Sequence, residues 1–244
     1  MKLLAVLLAL ASMSAIAADC TVRSDSQVRA LVELYTSEGC SSCPPADHWL
    51  SDLAARGDKR VVPIAFHVSY WDSLGWKDRF ADTRYTERQR NVADARGASM
   101  VYTPQVMIGG QDFRRWPSKG AVEKAIEELA TSPAPASIVV TTKPSGESGV
   151  EGSASLKSGG RNVGLYVALT QDGLSSKVTR GENRGETLHH NAVVRDFAEI
   201  RSAEGTFRFK PQADWDLGHM SLVAFAQDTA TGRVLQAVST PVCR

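Results

Sequence analysis

Hydrophobic and polar positions follow two rhythms along the chain, and the change falls near residue 133. Ala30 to Tyr35 is apolar apart from Glu33, and Val61 to Phe66 is a second apolar run of strand length. Between them Ala46, Trp49, Leu50, Leu53 and Ala54 recur at the spacing of one helix face, which predicts a helix over Pro45 to Ala55. Helical spacing returns over Ala81 to Ala95 and Ala121 to Ala130, with the strand Gln105 to Ile108, stopped by Gly109-Gly110, between them. Strands alternating with helices of this length predict an α/β sheet. Thr131 to Pro135 has linker composition. Beyond it short strands are predicted at Ser137 to Thr142, Gly152 to Leu156, Val163 to Thr170, Leu188 to Phe197, Thr206 to Lys210, Met220 to Gln227 and Val234 to Ser239. Asp228 to Gly232 is a hairpin loop between the last two, and the series reads as a β-sandwich.

The first residues change the compartment. Lys2 is followed by the apolar run Leu3 to Ala11 and by Ala15-Ile16-Ala17, the small-x-small pattern of a secretory cleavage site, so residues 1–17 read as a signal peptide. The run is half the roughly 20 residues a membrane anchor needs. Lipid attachment at Cys20 is disfavoured by Asp19, which stands where a small residue is expected. The mature chain is therefore expected to be periplasmic or secreted, with no membrane span once the signal is removed. Lys and Arg number 28 against 27 Asp and Glu, so no global charge draws it to nucleic acid or anionic lipid.

In an oxidising space the 4 cysteines become candidates for disulfides. Cys40 and Cys43 form a Cys-x-x-Cys pair just before the helix that Pro44 and Pro45 open. At a helix N-terminus the free amides and the dipole stabilise a thiolate, which suits Cys40 as attacking thiol and Cys43 as resolving thiol. A structural staple and half of a zinc site are the competing readings. Zinc is disfavoured because His48 and His67 show no convergence on the pair. Thr103-Pro104 stands at the entrance to the strand Gln105 to Ile108, where a proline marks either a sheet edge or a cis bond. Arg79, Arg84, Arg88 and Arg90 alternate with Asp78, Asp82 and Glu87 as on a solvated helix face. Tyr70, Trp71, Trp76 and Phe80 form either a substrate groove or the core of an insertion. His189 and His190 are strand neighbours that point to opposite faces, so one site cannot use both.

The order of strand, Cys-x-x-Cys, helix, strand, excursion, Thr-Pro, strand, Gly turn and helix resembles the thioredoxin fold. That resemblance implies that Pro104 is cis and packs against the sulfurs, shielding them from metal ions, and that the backbone of Thr103 pairs with an extended peptide. It also places Glu33 near a buried acid that aids proton transfer, one residue out of register, the plain alternative being an edge-facing surface residue. The stretches Val32 to Asp47, Phe66 to Asp78, Tyr102 to Val106, Gly181-Glu182-Asn183, Thr187-Leu188 and Val193-Val194-Arg195 are similar to domain-of-unknown-function family 1223, secreted thioredoxin-like bacterial proteins. The organisation expected is an α/β thioredoxin-like domain over residues 18–132, with an insertion at about 67–101, followed by an all-β sandwich-like domain over 136–244.

Cys20 and Cys243 carry no motif and lie near the mature termini, so they are expected to pair as a structural disulfide. The function expected is thiol-disulfide exchange through Cys40, Cys43, Thr103, Pro104 and Glu33, on a protein or peptide substrate, with a redox protein to recycle the pair and neither cofactor nor metal. The alternative is a non-catalytic binding or assembly module stapled by Cys40-Cys43. A metallochaperone is disfavoured because no methionine or histidine set accompanies the pair.

Overall fold

The computed structural model describes residues 19–145, 149–158 and 160–244, so the signal segment expected over 1–17 lies outside the described residues. In chain order the strands and helices are β1 (Cys20–Arg23), β2 (Ala30–Thr36), α1 (Pro44–Ala55), β3 (Val61–His67), α2 (Thr83–Ala95), β4 (Gln105–Ile108), β5 (Gln111–Asp112), α3 (Ala121–Ala130), β6 (Ala136–Thr142) and β7 (Val150–Ser158). They continue with β8 (Val163–Gln171), β9 (Leu174–Lys177), β10 (Thr187–His190), β11 (Val193–Ile200), β12 (Glu204–Phe209), β13 (Met220–Asp228) and β14 (Val234–Pro241). Short 3-10 turns cover Ser69–Leu74 and Leu217–His219. No described helix is long and apolar enough to cross a membrane.

The expected α/β thioredoxin-like fold with an all-β sandwich-like unit after it is corrected. The chain is mostly β, and its largest sheet runs through both halves in the order β14-β13-β8-β11-β3-β2-β4-β5. The join is the parallel bridge of β11 to β3, Val193 opposite Ala65. The physical reason is that periodicity reports whether a segment is a strand, and says nothing about which sheet it enters. β3, apolar on both faces, takes a second strand along its free edge from the far half of the sequence.

One face of this sheet is covered in two parts. Ala30, Val32 and Leu34 of β2, with Ala65 and Val106, pack against Ala46, Leu50 and Leu53 of α1 and Val122 and Ile126 of α3. Leu165, Val167 and Leu169 of β8 and Leu222 and Ala224 of β13 pack on the second sheet, ordered β1-β6-β7-β12, through Ile138, Val140, Phe207 and Phe209. The opposite face, with Leu31, Tyr35, Phe66, Val223 and Phe225, lies under Tyr85 and Val92 of α2.

The single strand expected over Leu188 to Phe197 is two strands. Ala192 adopts a positive φ of 55° and turns the chain between them. β10 pairs with β9 in a separate hairpin, and β11 enters the large sheet.

Candidate functional site

The carboxyl end of β2 leads into Ser37, Glu38 and Gly39, all buried, and then into the cysteine pair. The Cys40 amide donates to the Ser37 carbonyl at 3.1 Å and the Cys43 amide to the Cys40 carbonyl at 3.2 Å, which winds the chain into α1. Cys43 is the N-cap residue of α1, and prolines occupy the first two helical positions, where missing amide protons cost nothing. Cys40 and Cys43 are joined as a disulfide with Cα atoms 5.4 Å apart. Both cysteines are 0% exposed. Ser41 and Ser42 between them face solvent, and the Ser42 hydroxyl lies 3.4 Å from Cys40 Sγ.

Two segments hold this loop from above. Trp71, in the 3-10 turn after β3, lies against Gly39, where an added Cβ would sit 3.0 Å from the Trp71 Cβ. The same indole donates through Nε1 to Thr103 Oγ1 at 2.8 Å, and the Thr103-Pro104 bond is cis. Trp71 thus links the cysteine loop to the turn at the start of β4. Tyr70 and Trp71 also pack partly against the core. The second segment is the loop joining β9 and β10. Asn183 donates through Nδ2 to the carbonyls of Glu38 at 2.9 Å and Cys40 at 3.0 Å. Ser41 donates its amide to Glu182 Oε2 at 3.0 Å. Gly181, with φ of 74°, meets Trp76 so closely that an added Cβ would lie 3.0 Å from the Trp76 Cβ.

Beneath the first turn of α1 is a buried polar cluster. Asp47, one turn after Cys43, His67 at the end of β3 and His190 at the end of β10 each offer a ligand-type atom within 4.8 Å of the other two. His67 Nδ1 lies 2.6 Å from Asp78 Oδ2, and the Glu38 amide donates to the same oxygen at 2.9 Å. Thr36 donates to Asp47 Oδ2 at 3.2 Å, and Trp76 Nε1 to Glu38 Oε2 at 2.8 Å. His190 Nε2 is 3.3 Å from Glu38 Oε1, and its Nδ1 is 4.0 Å from Asp47 Oδ1. Burial alone would lower the pKa of His67, but the Asp78 carboxylate, with Asp47 and Glu38 behind it, raises it to about 8. Burial pushes the Asp47 carboxyl up. It opposes ionisation of Asp78 too, yet the neighbouring His67 imidazole holds that carboxyl below the ordinary carboxylate range.

Cys40, Cys43, Thr103 and Pro104 are brought to one end of the sheet, with Trp71 between the two pairs. Glu33 is not brought to them. It is neither an edge residue nor a neighbour of Cys43: it lies buried on the sheet face opposite α1 and binds Arg88 at 2.6 Å. Arg88 is not on a solvated face; its guanidinium lies 4.7 Å from the Phe225 ring centroid and 5.3 Å from those of Phe66 and Tyr166. Cys20 and Cys243 form a disulfide with Cα atoms 5.8 Å apart. His189 is exposed and His190 buried, the alternation that a strand imposes.

Asp47, His67, His190, Asp78, Glu38 and Asn183 were not legible as a site. Asp47 carried a signal, standing four residues after Cys43 on an otherwise apolar helix face. His190 carried none, since the β9-β10 hairpin that delivers it has no sequence link to α1.

The family DUF1223, described as a protein of unknown function, matches residues 31–227. The fold is similar to the crystal structure of a protein from Agrobacterium tumefaciens, with a TM-score of 0.62 and 24% identity over 90% of this chain and 96% of that one. No curated protein matches.

Proposed function

The chain belongs to the DUF1223 family, proteins of unknown function, and from that premise we propose that it is an exported thiol-disulfide oxidoreductase whose exchangeable bond is Cys40-Cys43. The carrying observation is a disulfide at the start of a helix, with Trp71 tying its loop to the cis Thr103-Pro104 turn. In the oxidising direction a substrate thiolate attacks Cys40 Sγ, the Cys40-Cys43 bond breaks, and Cys43 leaves as a thiolate stabilised by the helix N-terminus. A second substrate thiolate then attacks the substrate sulfur of the mixed disulfide, and Cys40 leaves as a thiolate. The substrate loses two electrons and the pair gains them. Reduction of a substrate runs the same steps backwards, and a dithiol protein restores the pair. Export rests on the signal pattern over residues 1–17 and on two disulfides that a reducing compartment would not maintain.

Full burial of both sulfurs favours a second reading, in which the bond is a permanent staple in a binding module. The readings part on whether the Gly181–Asn183 loop swings clear. Cys43→Ala, expressed in its own compartment, is expected to trap partners on Cys40 as mixed disulfides detectable by mass spectrometry. Adding Asn183→Ala removes two hydrogen bonds worth about 1 kcal/mol each and is expected to speed trapping by on the order of 10-fold. No trapped partner in either variant refutes exchange.

A further inference from the structure

We propose that Asp47, His67 and His190 form a binding site for a divalent first-row transition metal ion, zinc being the best match, one helical turn beneath the Cys40-Cys43 loop. All three residues are more than nine-tenths buried, and one ligand-type atom from each lies within 4.8 Å of the others. His67 gives the clearest sign of a ligand. Its Nδ1 is engaged by Asp78 at 2.6 Å, which fixes the ring, and its buried Nε2 has no hydrogen-bond partner and becomes a metal ligand on giving up its proton. A carboxylate holding the far nitrogen of an imidazole is the arrangement that orients metal-bound histidines. His190 also stands between two carboxyl groups, its Nε2 3.3 Å from Glu38 Oε1 and its Nδ1 4.0 Å from Asp47 Oδ1.

Charge points the same way. Glu38, Asp47 and Asp78 are three buried carboxyl groups, and among the described residues no lysine or arginine hydrogen-bonds or ion-pairs with any of them. The imidazoles of His67 and His190 face these carboxyl groups, and a divalent cation bound among them would add to the charge compensation that buried carboxylates require. Two imidazole nitrogens and one carboxylate oxygen form a donor set suited to zinc, iron, cobalt or nickel rather than to calcium or magnesium, which prefer all-oxygen shells. The donors must draw inward slightly to reach the about 2.0–2.2 Å that zinc takes with nitrogen and oxygen. The disulfide is not part of the ligand set, so the site stands whether or not Cys40-Cys43 exchanges.

The test uses the oxidised mature protein, stripped of metal and refolded with Zn2+ or with Co2+. Equilibrium dialysis is expected to give one tightly held Zn2+ per chain. The Co2+ form is expected to show visible ligand-field bands without a sulfur-to-metal charge-transfer band, since every cysteine is in a disulfide. His67→Gln and His190→Gln, checked for folding by circular dichroism, are each expected to weaken binding at least 100-fold. Asp78→Asn, acting through His67, is expected to weaken it about 10–100-fold. If the variants do not fold, the wild-type cobalt spectrum decides. Absence of Zn2+ binding by the oxidised wild type overturns the proposal, as does wild-type affinity in folded His67→Gln and His190→Gln. Trapping by Cys43→Ala in the presence of a chelator tests exchange separately.

Discussion

Replacing Cys20 and Cys243 together by serine is expected to lower the stability of the oxidised protein by about 5 kcal/mol, the loop-closure entropy released when residues 223 apart in sequence are uncoupled. Local structure makes the effect large. β1 is an edge strand that, among the described residues, pairs with β6 alone, from Cys20 opposite Thr142 to Arg23 opposite Val139, and three of its four residues are exposed. It buries little apolar surface of its own, so the covalent tie holds it in register more than packing does. At the other end, Cys243 follows β14, whose Val238 belongs to the core between the two sheets. Cutting the tie therefore frees the edge of one sheet and the terminus of the other. Urea unfolding of the double variant beside the wild type measures the difference. A loss below about 1 kcal/mol would show that the bridge only decorates two ends already held by packing.

Glu33→Leu is the second large effect, expected to cost about 3–5 kcal/mol because it strands a buried guanidinium. Arg88 donates from both Nε and Nη2 to Glu33 Oε1, and Tyr35 donates to the same oxygen at 3.2 Å. The aromatic rings of Phe66, Tyr166 and Phe225 around the guanidinium supply cation-π attraction, and Arg88 Nη1 keeps its bond to Gln227, so the cost falls toward the lower end of that range. The double variant Glu33→Leu with Arg88→Leu removes both charges and is expected to recover most of the loss. The pair lies on the sheet face away from α1, so disulfide exchange in folded Glu33→Leu is expected to proceed at the wild-type rate. A slowed exchange with intact folding would return Glu33 to the proton-transfer role that its sequence position suggested.

These two cases mark how far the sequence carries. The helix of α1 was legible because its apolar spacing and two leading prolines are local signals, and so was the turn at Thr103-Pro104. The Cys20-Cys243 pairing followed from compartment and terminal position. Glu33 misled because a charge in an apolar strand shows that it is special without showing which sheet face it occupies. Arg88 sits among other charged residues on a periodic helix, and only tertiary packing, with rings from β3, β8, β11 and β13, distinguishes it from its solvated neighbours. Sheet membership was not legible either. β11 and β3 meet across more than a hundred residues of sequence, and no local pattern specifies a partner strand at that distance. For the same reason His67 and His190 stayed apart in the sequence and meet only when the β9-β10 hairpin folds over α1.

The central claim is that Cys40-Cys43 exchanges rather than merely fastens. Equilibration of the folded protein with glutathione or thioredoxin buffers gives the reduction potential of this pair. A value of roughly −120 to −270 mV is expected, in the range of dithiol proteins that trade disulfides. A value below about −300 mV would contradict exchange and mark the bond as a staple.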